Sequence, residues 1–343
     1  MSAPALLSVE DLRVSFQTED GVVGAVDGVS FEVRSGEVLA IVGESGCGKS
    51  VTAMSLMGLT RGPNAQISGR ATLGDTELIE ASDDQLRRIR GNEMAMIFQD
   101  PMSSLNPVYK VGAQIVEQIQ AHRDISDADA RDQAVELFEA VGIPGAEQRV
   151  DNYPHEFSGG MRQRAMIAMG LSTEPDLLIA DEPTTALDVT IQAQIMRVLR
   201  KLNTERGLAT ILITHDLGVV AEAADRVLVM YAGQVVESGT LEQVFYDPQH
   251  PYTWGLLGSI MRLDRPRSSR LAQIKGQPPS LIAPPEGCRF RPRCPHAFGK
   301  CSQPPTLEAR TGDGAHLDRC WLGTEEKRSV RTMSSGEIGL EAA

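Results

Sequence analysis

A chain of 343 residues is long enough for one large domain and something smaller, or for two domains. Hydrophobic residues make up 41% and charged residues 23%, an ordinary balance for a globular protein, and no apolar run reaches the length of about eighteen residues that a membrane span needs. The net charge of −13, from 33 basic and 46 acidic side chains, argues against wide non-specific binding to nucleic acid, which needs a basic footprint.

The opening stretch, "MSAPALLSVEDLRV", has no basic region followed by an apolar one, so no secretory signal is expected. The protein is then expected in a compartment where thiols stay reduced. Strand-like and helix-like segments alternate over roughly the first 245 residues. The continuous apolar run in residues 33–43 predicts a buried parallel strand, and a helical pattern follows over residues 49–59. Residues 126–142 predict a capped helix, with Ser126 as N-cap, Asp129 three residues on and Gly142 as the stop. Two more short buried strands are expected at residues 176–181 and 209–216, with a helix over 190–207 between them. Such alternation implies an α/β fold around a mainly parallel sheet.

After about Tyr246 prolines become dense and long periodic segments stop, so a small, loop-rich appendage with a thin core is expected. The local basic stretch at residues 261–275 reads as a solvated linker. Something besides burial must hold this appendage together, and four of the five cysteines lie within it.

Residues 43–50, "GESGCGKS", fit G-x-x-x-x-G-K-[ST] between a predicted strand and a predicted helix, which is the context that pattern requires. Glycines such as Gly43, Gly46 and Gly48 let consecutive N–H groups of the loop (Glu44, Ser45, Cys47 and on to Val51) curl round phosphate oxygens. The helix N-terminus behind them favours negative charge. Lys49 would reach the β- and γ-phosphates and Ser50 would ligate Mg²⁺. Cys47 takes a tolerant position and reads as structural; the alternative is that its oxidation blocks nucleotide access.

Asp181 ends the apolar run "LLIAD", where its carboxylate can face Mg²⁺, and Glu182 follows as the candidate general base. Ser158, Gly159 and Gly160 in "FSGGMRQR" open another helix and form a second anion site. One subunit does not need two cradles for one γ-phosphate, so the second is expected to serve a nucleotide held by another subunit. The working unit is then a dimer.

In this order the segments resemble the nucleotide-binding subunit of an ABC transporter. Residues 43–50 match its Walker A motif, Phe98 to Pro101 its Q-loop, Phe157 to Met161 its signature, "LLIADE" its Walker B, Ala186 to Asp188 its D-loop, and His215 its switch histidine. The resemblance implies a P-loop ATPase core over residues 5–246, in which a mainly parallel sheet with helices joins an antiparallel β subdomain and a helical subdomain at about 100–172. It implies that Gln99 senses Mg²⁺ and the γ-phosphate, that His215 bonds the γ-phosphate, and that Phe16 stacks on adenine. It also marks Asp188 as the aspartate of the D-loop. The signature departs from the family at Phe157 and Met161, but keeps the serine and both glycines.

The tail is similar to the C-terminal extension of oligopeptide and dipeptide importer ATPases, with nickel importers as close relatives, over residues 247–325; residues 326–343 are expected to be a flexible tail. Cys288, Cys294, Cys301 and Cys320 are separated by five, six and eighteen residues, with none of the C-x₂₋₄-C pairs usual for structural zinc. Four thiolates suit an iron–sulfur cluster, and the resemblance implies a [4Fe–4S] cluster there, zinc being the alternative. It further implies a peripheral ATPase on the cytoplasmic face of the cell membrane. Its partners would be a second, related ATPase, two membrane permease subunits and an extracytoplasmic solute-binding protein. The expected work is import of di- and oligopeptides, with nickel or another small solute as the alternative. A soluble ABC ATPase acting on nucleic acid or ribosomes is the reading from another class.

Overall fold

The computed structural model describes residues 4–100, 104–184, 187–259, 274–309 and 314–338. Pro101, Ala186 and the basic stretch up to residue 273 lie outside the described residues.

Two sheets organise the chain. The first is antiparallel, from β1 (Ala5–Thr18), β2 (Gly21–Arg34), β4 (Ala65–Leu73) and β5 (Thr76–Glu77), in the order β2-β1-β4-β5. The second is eight-stranded. Its parallel centre comprises β3 (Val38–Val42), β6 (Met94–Ile97), β7 (Leu177–Asp181), β8 (Ala209–Ile213) and β9 (Arg226–Tyr231). It continues antiparallel through β10 (Gln234–Thr240), β12 (Leu317–Asp318) and β11 (Glu308–Ala309). The order is β11-β12-β10-β9-β3-β8-β7-β6. β3 therefore sits inside the sheet with parallel neighbours on both sides, which explains why all five of its residues are buried and apolar.

The strand expected at residues 33–43 is really two pieces. Val33 and Arg34 end β2, and Gly36, at φ 72°, turns the chain before β3 begins at Val38. The helix expected at residues 126–142 forms as Asp127–Ala140, capped by the Ser126 hydroxyl, which accepts from the Asp129 N–H at 3.2 Å. The helix between β7 and β8 runs Val189–Arg206 and ends on Gly207 at φ 72°.

Helices Val111–His122, Asp127–Ala140 and Gly159–Leu171 share one core cluster with β6 and β7, built on Ile115, Ile119, Phe138 and Ile167. A second cluster fills the space between the two sheets. The third joins β9 and β10 to the appendage: Tyr231, Tyr252 and Phe290 pack ring against ring, 4.6 to 5.5 Å between centroids. The appendage is thus stitched onto the edge of the main sheet and does not stand apart. Residues 326–338, expected to be flexible, lie in the helix Thr324–Ile338. The fully buried Lys327 anchors that helix by donating to Asp318 at 2.7 Å. No described helix is long and apolar enough to cross a membrane.

Candidate functional site

The loop at residues 43–48 leaves β3 and enters the helix Lys49–Leu56. Its shape requires glycine: at Gly48, φ is 105° and an added Cβ would lie 2.4 Å from the Ala25 carbonyl oxygen. The Lys49 ammonium, almost fully buried, donates to the carbonyls of Gly43 at 2.8 Å and Glu44 at 3.1 Å. Cys47 is buried beside it, and burial pushes its thiol up against the opposing pull of Lys49. A protonated, enclosed thiol suits the structural role expected of it.

Phe16, Ser45, Gly46, Gly48, Lys49, Ser50, Val51, Gln99 and Glu182 line one pocket. The sequence had brought these residues together. Gly43, Glu44 and Cys47 belong to the loop but not to the pocket wall. Val23, Ala25 and Leu281 do belong to the wall, and no motif had pointed to them. The only signal for Leu281 was its apolar "SLIAPP" setting inside a proline-rich segment.

Asp181 closes β7 with little exposure, and burial raises its carboxyl above the ordinary value while a hydrogen bond from Ser50 opposes the shift. Its Oδ1 is buried without a hydrogen-bond partner. A buried, unsatisfied carboxylate oxygen beside a serine hydroxyl supplies hard oxygen donors that fit a divalent cation such as Mg²⁺.

Glu182 stands at the strand exit with φ 48°, a left-handed conformation unusual for a side chain of this size. Gln99 Nε2 donates to its Oε2 at 3.0 Å, and His215 Nδ1 lies 3.0 Å from its Oε1. Three residues more than thirty positions apart thus meet on one carboxylate. His215 follows β8, and its side chain is exposed over 60% of its surface, so its outer nitrogen can reach a ligand.

Ser158, Gly159 and Gly160 are not in this pocket. Ser158 caps the helix Gly159–Leu171, accepting from Met161 N–H at 3.3 Å, and nothing lies within 4 Å of where a Cβ on Gly159 would stand. The signature is therefore open at Gly159 and is no part of this pocket. Asp188 caps the helix Val189–Arg206 by accepting from Ile191 N–H at 3.1 Å. Gln163, fully buried, donates to the Pro183 carbonyl at 2.8 Å and so ties the signature helix to the segment after Glu182. The sequence reading had not singled it out.

The four cysteines of the appendage line one small cavity together with His250, Pro251 and Phe290. None is in a disulfide, and burial pushes the Cys294 thiol up to about 12 and the Cys320 thiol up to about 11. They gather as expected of a shared ligand set. Yet among the described residues no group of three or more His, Cys, Asp or Glu is arranged to hold a metal ion.

The comparisons fall into line with this geometry. Residues 26–185 match the "ABC transporter" family model, and residues 236–301 match "Oligopeptide/dipeptide transporter, C-terminal region". The chain is 50% identical over 333 residues to the dipeptide transport ATP-binding protein DppD of Bacillus subtilis (strain 168), covering 97% of this chain and 98% of that one. It is 52% identical over 324 residues to the oligopeptide transport ATP-binding protein OppD of Escherichia coli (strain K12), covering 94% and 95%. Among solved structures it is similar to a dimeric post-hydrolysis state of the ATP-binding cassette MJ0796 bound to ADP and Pi. That match has TM-score 0.63 at 25% identity and covers 68% of this chain and 98% of that one. The signature cradle outside the pocket of its own P-loop, the order of loop, strand and carboxylate, and these relatives lead to one assignment: the chain belongs to the ATP-hydrolysing, ATP-binding subunits of ABC transporters, in the oligopeptide/dipeptide family.

Proposed function

We propose that this chain drives the import of di- and oligopeptides, working as a peripheral subunit on the cytoplasmic face of the membrane. The observation that carries the hydrolytic half is the carboxylate of Glu182, held by Gln99 and His215 at the mouth of the pocket lined by Lys49 and Ser50. The triphosphate would lie on the loop N–H groups, and the Lys49 ammonium would turn from the Gly43 and Glu44 carbonyls to the β- and γ-phosphates. Ser50 and Asp181 would hold Mg²⁺, which neutralises charge on the phosphate oxygens. Glu182 accepts the proton of a water as its oxygen bonds to the γ-phosphorus, the bond to the β-bridging oxygen breaks, and ADP and phosphate leave. His215 and Gln99 keep that carboxylate aimed.

Ser158, Gly159, Gly160 and Met161 would close on the nucleotide held by a second ATP-binding subunit, a related chain in this reading, with Asp188 at the same interface. The groove lined by Met57, Met96, Phe98, Gln118, Met166 and Met169 is rich in methionine and includes Phe98, the residue before Gln99. It suits a projecting helix of a membrane permease subunit, which would convey closure of the dimer to the two permeases. A solute-binding protein on the far side would supply the peptide.

Cys288, Cys294, Cys301 and Cys320 would hold a [4Fe–4S] cluster. Four thiols on one cavity, none of them cross-linked, support that donor set. Zinc is the second candidate for the same four thiols, whose sequence spacing lacks the close pairs usual for a structural zinc site. The group would tie the appendage together and takes no part in hydrolysis.

Proteoliposomes carrying the assembled complex test the transport reading. ATP inside should drive uptake of a labelled dipeptide or oligopeptide, and Lys49→Ala should abolish it. Nickel uptake with no response to peptide would contradict it.

A further inference from the structure

The appendage touches the nucleotide site at two places. Leu281 lines the pocket alongside Phe16 and the P-loop, held there because its carbonyl accepts from the Gly24 N–H at 3.0 Å. Arg293, only 6% exposed, lies between two of the clustered cysteines in sequence and forms a two-pronged pair with Glu44, at 2.5 and 2.9 Å. The Glu44 N–H donates to the Tyr252 hydroxyl at 2.8 Å. The second residue of the phosphate loop is therefore held by backbone and by side chain, and both partners come from the appendage. Glu44 in turn offers its carbonyl to Lys49.

We propose that the appendage is a working part of the ATP site of its own chain. Leu281 is a specificity-determining residue at the base end, and Arg293 is a positioning residue that holds the phosphate loop through Glu44. This rests on the reading that residues 43–50 bind ATP. The base end of the pocket is apolar, from Phe16, Val23, Ala25 and Leu281, so contact area there sets how well a base is held. At the other end the guanidinium does two things. It fixes the loop geometry that presents Lys49, and it neutralises a carboxylate carried on the loop that would hold the polyanion.

Titration of the full chain with a fluorescent ATP analogue and Mg²⁺ tests this, with KM and kcat of the assembled complex as a second readout. Arg293→Ala should raise the Kd about tenfold, since the loop then loses its tether and carries an uncompensated negative charge. Glu44→Gln added to it should recover most of that loss, because the double variant has no stranded charge. Leu281→Ala should raise the Kd by about fivefold through lost apolar contact. KM should rise in step while kcat changes by less than about twofold, which general loosening of the fold would not produce.

The proposal is overturned if Arg293→Ala binds as wild type, or if Glu44→Gln recovers nothing in a chain that melts normally. Should Arg293→Ala not fold, Leu281→Ala decides on its own, and an unchanged Kd there overturns the proposal. Lys49→Ala separates the two levels. If it binds nucleotide normally, the ATP-site reading itself fails; if it does not, while the appendage variants bind normally, only the present inference fails.

Discussion

Glu182 shows what one residue must tolerate to be useful. Its left-handed backbone costs about 1–2 kcal/mol relative to an ordinary conformation, and the bond from its N–H to the Ile213 carbonyl at 2.8 Å helps to hold it. Strain of this kind persists where surrounding structure over-determines it, and it collects at active sites. In exchange the carboxylate leaves the end of β7 at an angle that lets Gln99 and His215 grip one oxygen each. Glu182→Gln keeps the size and the hydrogen-bonding reach but removes the proton acceptor. ATP turnover of the assembled complex should fall about 10²–10³-fold with nucleotide binding retained. Turnover near the wild-type rate would remove Glu182 from the role of base. The residues of this constellation were legible in sequence because each chemical demand is local: a glycine loop beside a strand, a carboxylate at a strand end. Gln163 was not legible, since its bond to the Pro183 carbonyl depends on how a helix and a loop pack.

Among the elements, the appendage is the one whose place could not be read. Its prolines and short segments suggest a loop-rich unit with a thin core, and nothing in the spacing of residues shows that Leu317 and Asp318 pair with Ser238 and Glu237 on β10. The junction is polar and fully buried. The Glu237 carboxylate accepts from the N–H groups of Gln249 and His250, at 2.6 and 2.8 Å, and lies 2.8 Å from His316 Nε2. Burial pushes the His250 imidazole down to about 3, which keeps its Nδ1 free to accept from the Tyr252 N–H at 3.1 Å. Lys327 and Asp318 complete the junction as a fully buried ion pair. Removing one partner of such a pair strands the other, so Lys327→Met should cost about 3–5 kcal/mol. The thermal midpoint of the full chain should fall, and Asp318→Leu in the same chain should recover much of the loss. An unchanged midpoint in the single variant would mean that the pair carries no weight.

The whole molecule is built around a site that it does not complete alone. β3 is central in the sheet and delivers the phosphate loop to a pocket shared with Gln99 and Glu182, while the Ser158–Gly160 cradle lies outside that pocket. The sequence carried most of this architecture, because an alternating pattern and a row of ordered motifs constrain an α/β ATPase strongly. It did not carry contacts such as Arg293 to Glu44, between residues 249 positions apart, which only the folded chain brings together. The central claim, that hydrolysis occurs between subunits, is tested most directly by Ser158→Arg in the Glu182→Gln background. Nucleotide binding is measured on the isolated chain, and association in Mg-ATP is followed by sedimentation, alone and with the other ATP-binding subunit. The account predicts a Kd within about threefold of the parent, because Ser158 lies outside its own pocket, and loss of ATP-driven association, because the cradle serves the neighbour's γ-phosphate. A Ser158→Arg chain that loses its own nucleotide as Lys49→Ala does, or that still associates in ATP, would contradict it.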